Sequence, residues 1–429
     1  MTTTDAPTTD ARFVLRLRLA MLAAGLASFG LLYCTQALLP AIGSAFQVSP
    51  TVSSLTVSAT TGALALALLP MSSLAESLGR TRVMRVGLAV AVFLTLATAS
   101  APWFWAVLVG RALTGLALAG VLAVAMGHLG EELPAHHLGS AMGLYVAGTS
   151  LGGVLARIIP GVVTDYASWR WGLVALALFA GLAVVAFVTL LPPARRYEPV
   201  PPRIEAHLSA VREVWADPGV RRLCLVSLLA MGGFVACYNY LTYRLISPPI
   251  NLDGTVASLL FLAYLPGALV SSAAGRLAQR VGRARTLSAG ALVSVIGLAL
   301  TLPNHIGFVT VGLVVFTCGF FAVHSGASAW VATRSRQHPS HASALYLMSY
   351  YLGSSVLGTA GGQAWLHGGW LATAAMIAVL YLLVMVAAAG VRSNPTAAEG
   401  VRSSPTAAEG VRSNPAAAEG VRSDRPAGE

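Results

Sequence analysis

Twelve long apolar runs, each bounded by short polar connectors, constrain this chain more than any other feature of its sequence. They occupy roughly 18–39, 52–75, 83–101, 103–128, 138–161, 171–191, 222–246, 255–277, 286–303, 308–333, 342–365 and 370–390. A bilayer core about 30 Å thick is crossed by about 20 apolar residues in helical form, and a helix satisfies all its backbone polar groups internally. The chain is therefore expected to be an all-α polytopic membrane protein with twelve transmembrane helices. Composition agrees: of 429 residues, 56% are hydrophobic and 10% charged, too little polar surface to wrap a soluble core of ordinary composition.

The net charge of +11 would suit a nucleic-acid binder if it formed one basic face. It does not, because the basic residues, all arginine, gather in connectors. Outside the last 39 residues, 18 of 22 arginines fall in the N-terminal segment, the 2/3, 8/9 and 10/11 connectors and the long middle linker. The positive-inside rule then places both termini in the cytoplasm, and for a bacterial chain the membrane is the cytoplasmic (inner) one. The first run follows Arg12, Arg16 and Arg18 as a signal peptide would, but it is too long for an h-region, so it is expected to be a retained span. Cys34, Cys224, Cys237 and Cys318 stand alone in apolar runs, with no metal-ligand spacing. No metal, cofactor or nucleic-acid partner is expected.

The chain is duplicated. The turn Glu76-Ser77-Leu78-Gly79-Arg80-Thr81-Arg82 returns 203 positions later as Gln279-Arg280-Val281-Gly282-Arg283-Ala284-Arg285. The same shift superposes Arg18 on Arg221, Cys34 on Cys237 and Gln36 on Asn239. Residues 192–221, rich in proline and charge, separate the copies. The expected organisation is a cytoplasmic segment 1–17, a six-helix bundle 18–191, a cytoplasmic linker 192–221, a second six-helix bundle 222–390, and a tail 391–429 of decapeptide repeats such as VRSNPTAAEG. That tail, built of Pro, Ser, Gly and Ala with balanced charge, cannot form a core and reads as disordered.

With these features the chain resembles the major facilitator superfamily, whose turn after the second helix reads Gly-x-x-x-Asp-Arg/Lys-x-Gly-Arg-Arg/Lys. Here the matching positions hold Ser72, Glu76, Ser77, Gly79, Arg80 and Thr81, and in the second copy Gly275, Gln279, Arg280, Gly282 and Arg283. Glutamate replaces the aspartate in one copy and glutamine removes the charge in the other. Span four carries Arg111-Ala-Leu-Thr114-Gly115, similar to the family's Arg-x-x-Gln-Gly, and span five carries Gly148-Thr-Ser-Leu-Gly152-Gly153, similar to the glycine-rich motif of drug/proton antiporters without its Gly-Pro pair. The resemblance implies two pseudo-symmetric six-helix halves that rock about a central site, exporting a drug-like compound, sugar or metabolite in exchange for protons. Uptake, or uncoupled facilitation, is the alternative within the same fold.

Candidate residues follow. Glu76, Gly79, Arg80, Gly282 and Arg283 are assigned to gating, with Gly79 and Arg80 holding the packing that closes the cytoplasmic side. Arg111 lies roughly 12 Å deep in span four by helix rise. A cation there is costly, so it needs carbonyls, an anionic substrate group or a carboxylate as partner, and the family resemblance implies a role for Arg111 in coupling. His324, some 24 Å along span ten, is the titratable candidate for proton coupling. Gly148, Gly152 and Gly153 in span five and Gly358 and Gly362 in span eleven are small residues that let helices approach closely. Tyr33, Gln36, Arg157, Tyr238, Asn239, Tyr243 and Tyr350 are polar groups within apolar helices, suited to a substrate cavity or to interhelical hydrogen bonds. Arg157 has Asp165 near it in sequence as a structural partner. Gly148-Thr-Ser150-Leu-Gly152 also fits the hydrolase pattern Gly-x-Ser-x-Gly, which needs a strand-to-helix elbow, whereas this stretch is expected within a helix. A non-transporting receptor or scaffold shares most of these features. The expected partners are a small-molecule substrate, protons and the bilayer, and the chain is expected to act as a monomer.

Overall fold

The computed structural model describes residues 11–194, 204–335 and 337–391. Within them lie eleven helices long and apolar enough to cross a membrane. The last, Pro339–Ala389, is two spans in one: Gly368 and Gly369 leave helical geometry, Gly369 with φ +56°, and split it into 339–367 and 370–389. The twelve expected spans are thus present. The N-terminal residues 1–10, linker residues 195–203 and repeats 392–429 lie outside the described residues.

Local chemistry sets the helix ends. Ser49 caps span two (Pro50–Leu78) by accepting from the Val52 amide, and Asp217 caps span seven (Pro218–Ile246) by accepting from Gly219. In both, proline follows at the first helical position, where its missing N–H costs nothing. Gly79 ends span two and begins span three (Arg80–Ala99); Gly282 does the same between spans eight and nine (Arg283–Leu300). Both have φ +95°, a region that side chains with a Cβ rarely enter. The repeated glycine is therefore a backbone requirement of the repeated turn.

Neighbour relations repeat as well. Span one (Ala11–Tyr33) packs on span five (Ala135–Tyr166), as seven packs on eleven; span four (Phe104–Glu132) packs on two and three, as ten (Ile306–Arg334) packs on eight and nine. Two features differ from uninterrupted spans. Span one stops at Tyr33, turns through Thr35 to Leu38 and resumes as Leu39–Phe46, and span eight is built of Gly254–Leu259, a 3-10 turn Leu260–Ala263 and Tyr264–Val281. The linker, read from sequence only as polar, contains a helix, Ile204–Ala216.

Candidate functional site: a one-sided cavity between the halves

Both basic turns, after Gly79 and Gly282, mark one face of the molecule. On the opposite face the halves are bonded together. Ser58 and Ser355 exchange hydroxyl-to-carbonyl bonds, each of 2.9 Å, and Ser58 meets the Thr359 hydroxyl at 2.5 Å. Tyr240 donates to Ser54 at 3.1 Å; the Tyr243 hydroxyl lies 2.6 Å from Ser53 and donates to the Leu39 carbonyl at 2.9 Å. Asp165, at the end of span five, accepts from the Thr255 amide at the start of span eight. A carboxylate on the unsatisfied amides of a helix N-terminus is a favourable pairing, which explains why Asp165 is bonded to the start of span eight.

Deeper in the molecule, Gln36 donates to Asn239 at 2.7 Å. These two residues are 203 positions apart, the repeat shift itself, so their contact lies on the pseudo-two-fold axis. Gln36 also accepts two bonds from the Arg157 guanidinium, whose remaining nitrogen donates to Gly153. The charge of Arg157 is 1% exposed and is faced by the rings of Tyr33, Phe261 and Tyr264 at 4.8, 5.2 and 4.7 Å. Below this cluster, toward the basic-turn face, lies a cavity of about 390 Å³, with walls from both halves that include Tyr33, Tyr145, Arg157, Tyr264, His324 and Tyr350. It contains no aspartate or glutamate among its lining residues.

The sequence candidates divide cleanly in space. Tyr33, Arg157, His324, Tyr350 and Gly153 line the cavity. Gln36 and Asn239 bond each other at its end, while Tyr238 turns to Thr317 at 2.7 Å and Tyr243 serves the closed face, so neither lines it. His324 is held through Tyr346, whose hydroxyl lies 3.1 Å from its Nδ1. Gly148 and Gly152 press span five onto Leu22 and Leu26 of span one, well inside a helix and not on an elbow. Gly358 rests against Val235 of span seven, and Gly362 against Thr51 of the other half.

Arg111 is not a cavity residue. Fully buried, it donates to the carbonyls of Leu32 (2.7 Å), Leu31 (3.0 Å) and Thr56 (3.4 Å). Leu31 and Leu32 are in the last turn of span one, where the helix breaks and leaves carbonyls without amides. Arg111 is the C-terminal cap of that break. Arg170 caps span three in the same way, through Ala99 and Ala101, and Arg244 caps span nine through Thr301, Leu302 and Pro303.

The turn residues make short-range bonds. Arg80 pairs with Glu131 at the end of span four, 2.7 Å away, within its own half; Arg283 donates to Thr333 at the end of span ten, also at 2.7 Å. Each bond stays within one half. Glu76 lies 3.3 Å from His207 of the linker helix, and His207 lies 3.0 Å from His341 at the start of span eleven.

Residues 21–248 and 240–425 each match the family model described as Major Facilitator Superfamily. The chain belongs to the major facilitator superfamily. It is 39% identical to the inner membrane transport protein YnfM of Escherichia coli (strain K12), over 87% of this chain and 89% of YnfM. It is 36% identical to the uncharacterized MFS-type transporter YybF of Bacillus subtilis (strain 168), over 86% and 92%. Among solved structures, a nucleoside transporter NupG variant shares the fold at TM-score 0.70 and 14% identity, covering 88% of this chain and 100% of that one. A bacterial homolog of the human lysosomal transporter Spinster, inward-facing and unoccupied, does so at 0.69 and 15%, covering 89% and 99%. The protein is thus a multi-pass membrane transporter of this superfamily.

Sequence reasoning missed several residues of the site. Phe261 and Tyr264 escaped because an aromatic ring in an apolar run reads the same whether it faces lipid or a cavity; the proline and glycine at 266–267 were a signal that span eight is irregular there. Gly353, whose added Cβ would strike the Leu228 backbone, is the close-packing glycine of span eleven against span seven. Its signal is the small-residue run Gly353-Ser-Ser355.

Proposed function

We propose that this transporter exports a small organic solute from the cytoplasm of a bacterium across the inner membrane, by alternating access, in exchange for protons and as a monomer. The observation that carries the reading is the one-sidedness of the cavity: it lies toward the basic-turn face, and hydrogen bonds between the halves close the other. By the positive-inside rule the basic-turn face is cytoplasmic, so this conformation turns its cavity toward the cell interior, one of the two states that alternating access requires. Rocking of the halves would break the Ser58–Ser355 and Tyr243–Ser53 contacts and close the cavity beneath. The similarity to YnfM, an inner membrane transport protein, supports the membrane assignment.

His324 is the titratable side chain proposed to carry the exchanged proton. It lines the cavity, and its bond to Tyr346 gives it a defined position. The test is flux in proteoliposomes with an imposed pH gradient, for wild type and His324→Gln. Gradient-driven flux that His324→Gln loses, with downhill flux retained, is the expected result. Flux indifferent to the gradient in the wild type would refute exchange, and a variant that keeps its gradient response would remove His324 from the role.

A further inference from the structure

We infer that the cavity recognises a small organic monoanion, a carboxylate on an aromatic or aliphatic body, through Arg157 and Tyr33; the inference rests on the transporter reading and specifies its substrate class. Four described arginines lie outside the basic connectors: Arg111, Arg157, Arg170 and Arg244. Three of them cap helix ends, where the negative end of the helix dipole absorbs the charge. Arg157 alone is different. Its nearest groups are a neutral amide oxygen, one carbonyl within its own helix and three aromatic faces. Among the described residues no carboxylate pairs with it.

A buried cation without an anion is costly, and the cost is relieved when an anion arrives. Of the five N–H groups of a guanidinium, Nε and one each on Nη1 and Nη2 are engaged, which leaves two that are free to bond a ligand. Tyr33 adds a second donor. Its hydroxyl is buried beside Ser354, makes no well-formed hydrogen bond, and belongs to a residue that lines the cavity. The two are adjacent, with the guanidinium 4.8 Å from the Tyr33 ring centre.

Charge and shape narrow the ligand. With one permanent cation and no acid in the lining, the site balances a single negative charge, which favours a carboxylate over a doubly ionised phosphate. A cationic ligand would meet no carboxylate in the lining and would share the cavity with the like charge of Arg157. The remaining lining, with Phe29, Phe234 and Phe320, suits an apolar body, and about 390 Å³ lies within the range of small-molecule sites.

The test uses the purified full chain and matched triplets: benzoate, benzamide and benzylamine, and hexanoate, hexanamide and hexylamine. Binding is measured by calorimetry and by thermal stabilisation. The carboxylates are expected to bind at least tenfold more tightly than their amides and amines; Arg157→Gln should abolish that preference, Arg157→Lys restore part of it, and Tyr33→Phe weaken carboxylate binding severalfold. Tyr33→Phe removes only a hydroxyl that makes no well-formed hydrogen bond, so it decides the matter even where Arg157→Gln unfolds. Amides or amines that bind as well as carboxylates, no binding by either carboxylate, or unchanged carboxylate affinity in the folded variants would overturn the assignment. Flux separates it from the transporter reading: carboxylate binding without carboxylate flux sinks transport and leaves the site, whereas flux of amines or amides alone leaves transport and sinks the site.

Discussion

Arg111→Met is the perturbation that best tests why a cation sits in the middle of span four. The side chain makes two strong bonds, to Leu32 at 2.7 Å and Leu31 at 3.0 Å, and a weak third to Thr56 at 3.4 Å. A hydrogen bond from a charged donor contributes about 1.5–3 kcal/mol, so the two strong ones together amount to about 3–6 kcal/mol. Against that stands the cost of an arginine at the centre of a span, about 2.5–3.5 kcal/mol. The difference of the midpoints predicts a net destabilisation of roughly 1.5 kcal/mol for Arg111→Met, within a span of about −0.5 to 3.5 kcal/mol. The Thr56 carbonyl contributes little to it, because the Thr60 hydroxyl bonds the same oxygen at 3.2 Å. Arg111→Lys should fall between, since an ammonium keeps the charge but cannot fork across two successive carbonyls. The damage should be local as well: the freed carbonyls belong to the turn that presents Gln36 to Asn239 and Arg157, so gradient-driven transport is expected to collapse although the protein still inserts. Thermal unfolding of the purified variants, insertion level and proteoliposome flux measure the three quantities. A Met variant as stable and as active as wild type would show that the break in span one needs no cap, and the reasoning would fail.

Gly79→Ala and Gly282→Ala place a Cβ at φ +95°, where strain costs about 1–3 kcal/mol; each should lower the unfolding temperature, whereas Gly275→Ala, whose added carbon meets open space, should not. Equal stability of all three would contradict the backbone argument. His207→Ala removes the link from the linker helix to Glu76 on span two and His341 on span eleven. An exposed pair contributes up to about 1 kcal/mol, so populations of the two cavity states should shift up to about fivefold toward closure of this face; cross-linking of cysteines placed at Ser72 and Ala344 reads that shift, and an unchanged yield refutes it. Burial alone would raise the carboxyl pKa of Asp217, but its bonds to Arg334 and the amides of Gly219 and Val220 outweigh burial and hold it below the ordinary value. The native pKa is thus below the unfolded one, so its stabilisation is present above the unfolded pKa and is lost as pH falls through the native value. Asp217→Asn should flatten the acid side of the stability profile below about pH 4; a profile parallel to wild type would remove Asp217 from it.

The spans were legible because membrane insertion leaves its mark on composition run by run, and the duplication because both turns need the same glycine. What the sequence could not yield was partnership across the bundle. Arg111 could be said to need carbonyls, an anion or a carboxylate, but choosing carbonyls required knowing that span one ends at Tyr33, inside a run that reads as apolar to residue 39. Asp165 was the obvious partner for Arg157 by distance along the chain. The helix start at Gly254 competes for the same carboxylate, and that competition depends on spans five and eight meeting at their ends. Tyr238 and Tyr243 show the same gap: a polar group in a span announces a hydrogen bond, and only the helix rotation says whether the bond goes to a substrate, a neighbour or the other half.

Gln36 and Asn239 carry the argument furthest. Two residues related by an internal repeat can touch only where the pseudo-two-fold axis passes, because elsewhere the symmetry holds them apart by twice their distance from it. Relative rotation of the halves displaces each atom in proportion to its distance from the axis of rotation, so groups near the centre move least, and Ser58, Ser355, Tyr243 and Ser53 at the closed face move more. A rigid helix at Gln36 would transmit the rotation unchanged along span one. The turn from Tyr33 to Leu38 instead uncouples the short helix Leu39–Phe46 from the long one, and Arg111 holds the long one's end. Arg157, bonded to Gln36 and lining the cavity, therefore joins the cavity to the contact between the halves. A ligand that bonds the two remaining N–H groups of Arg157 draws on the side chain that holds Gln36 against Asn239, and this gives cavity occupancy a physical route to the contact between the halves.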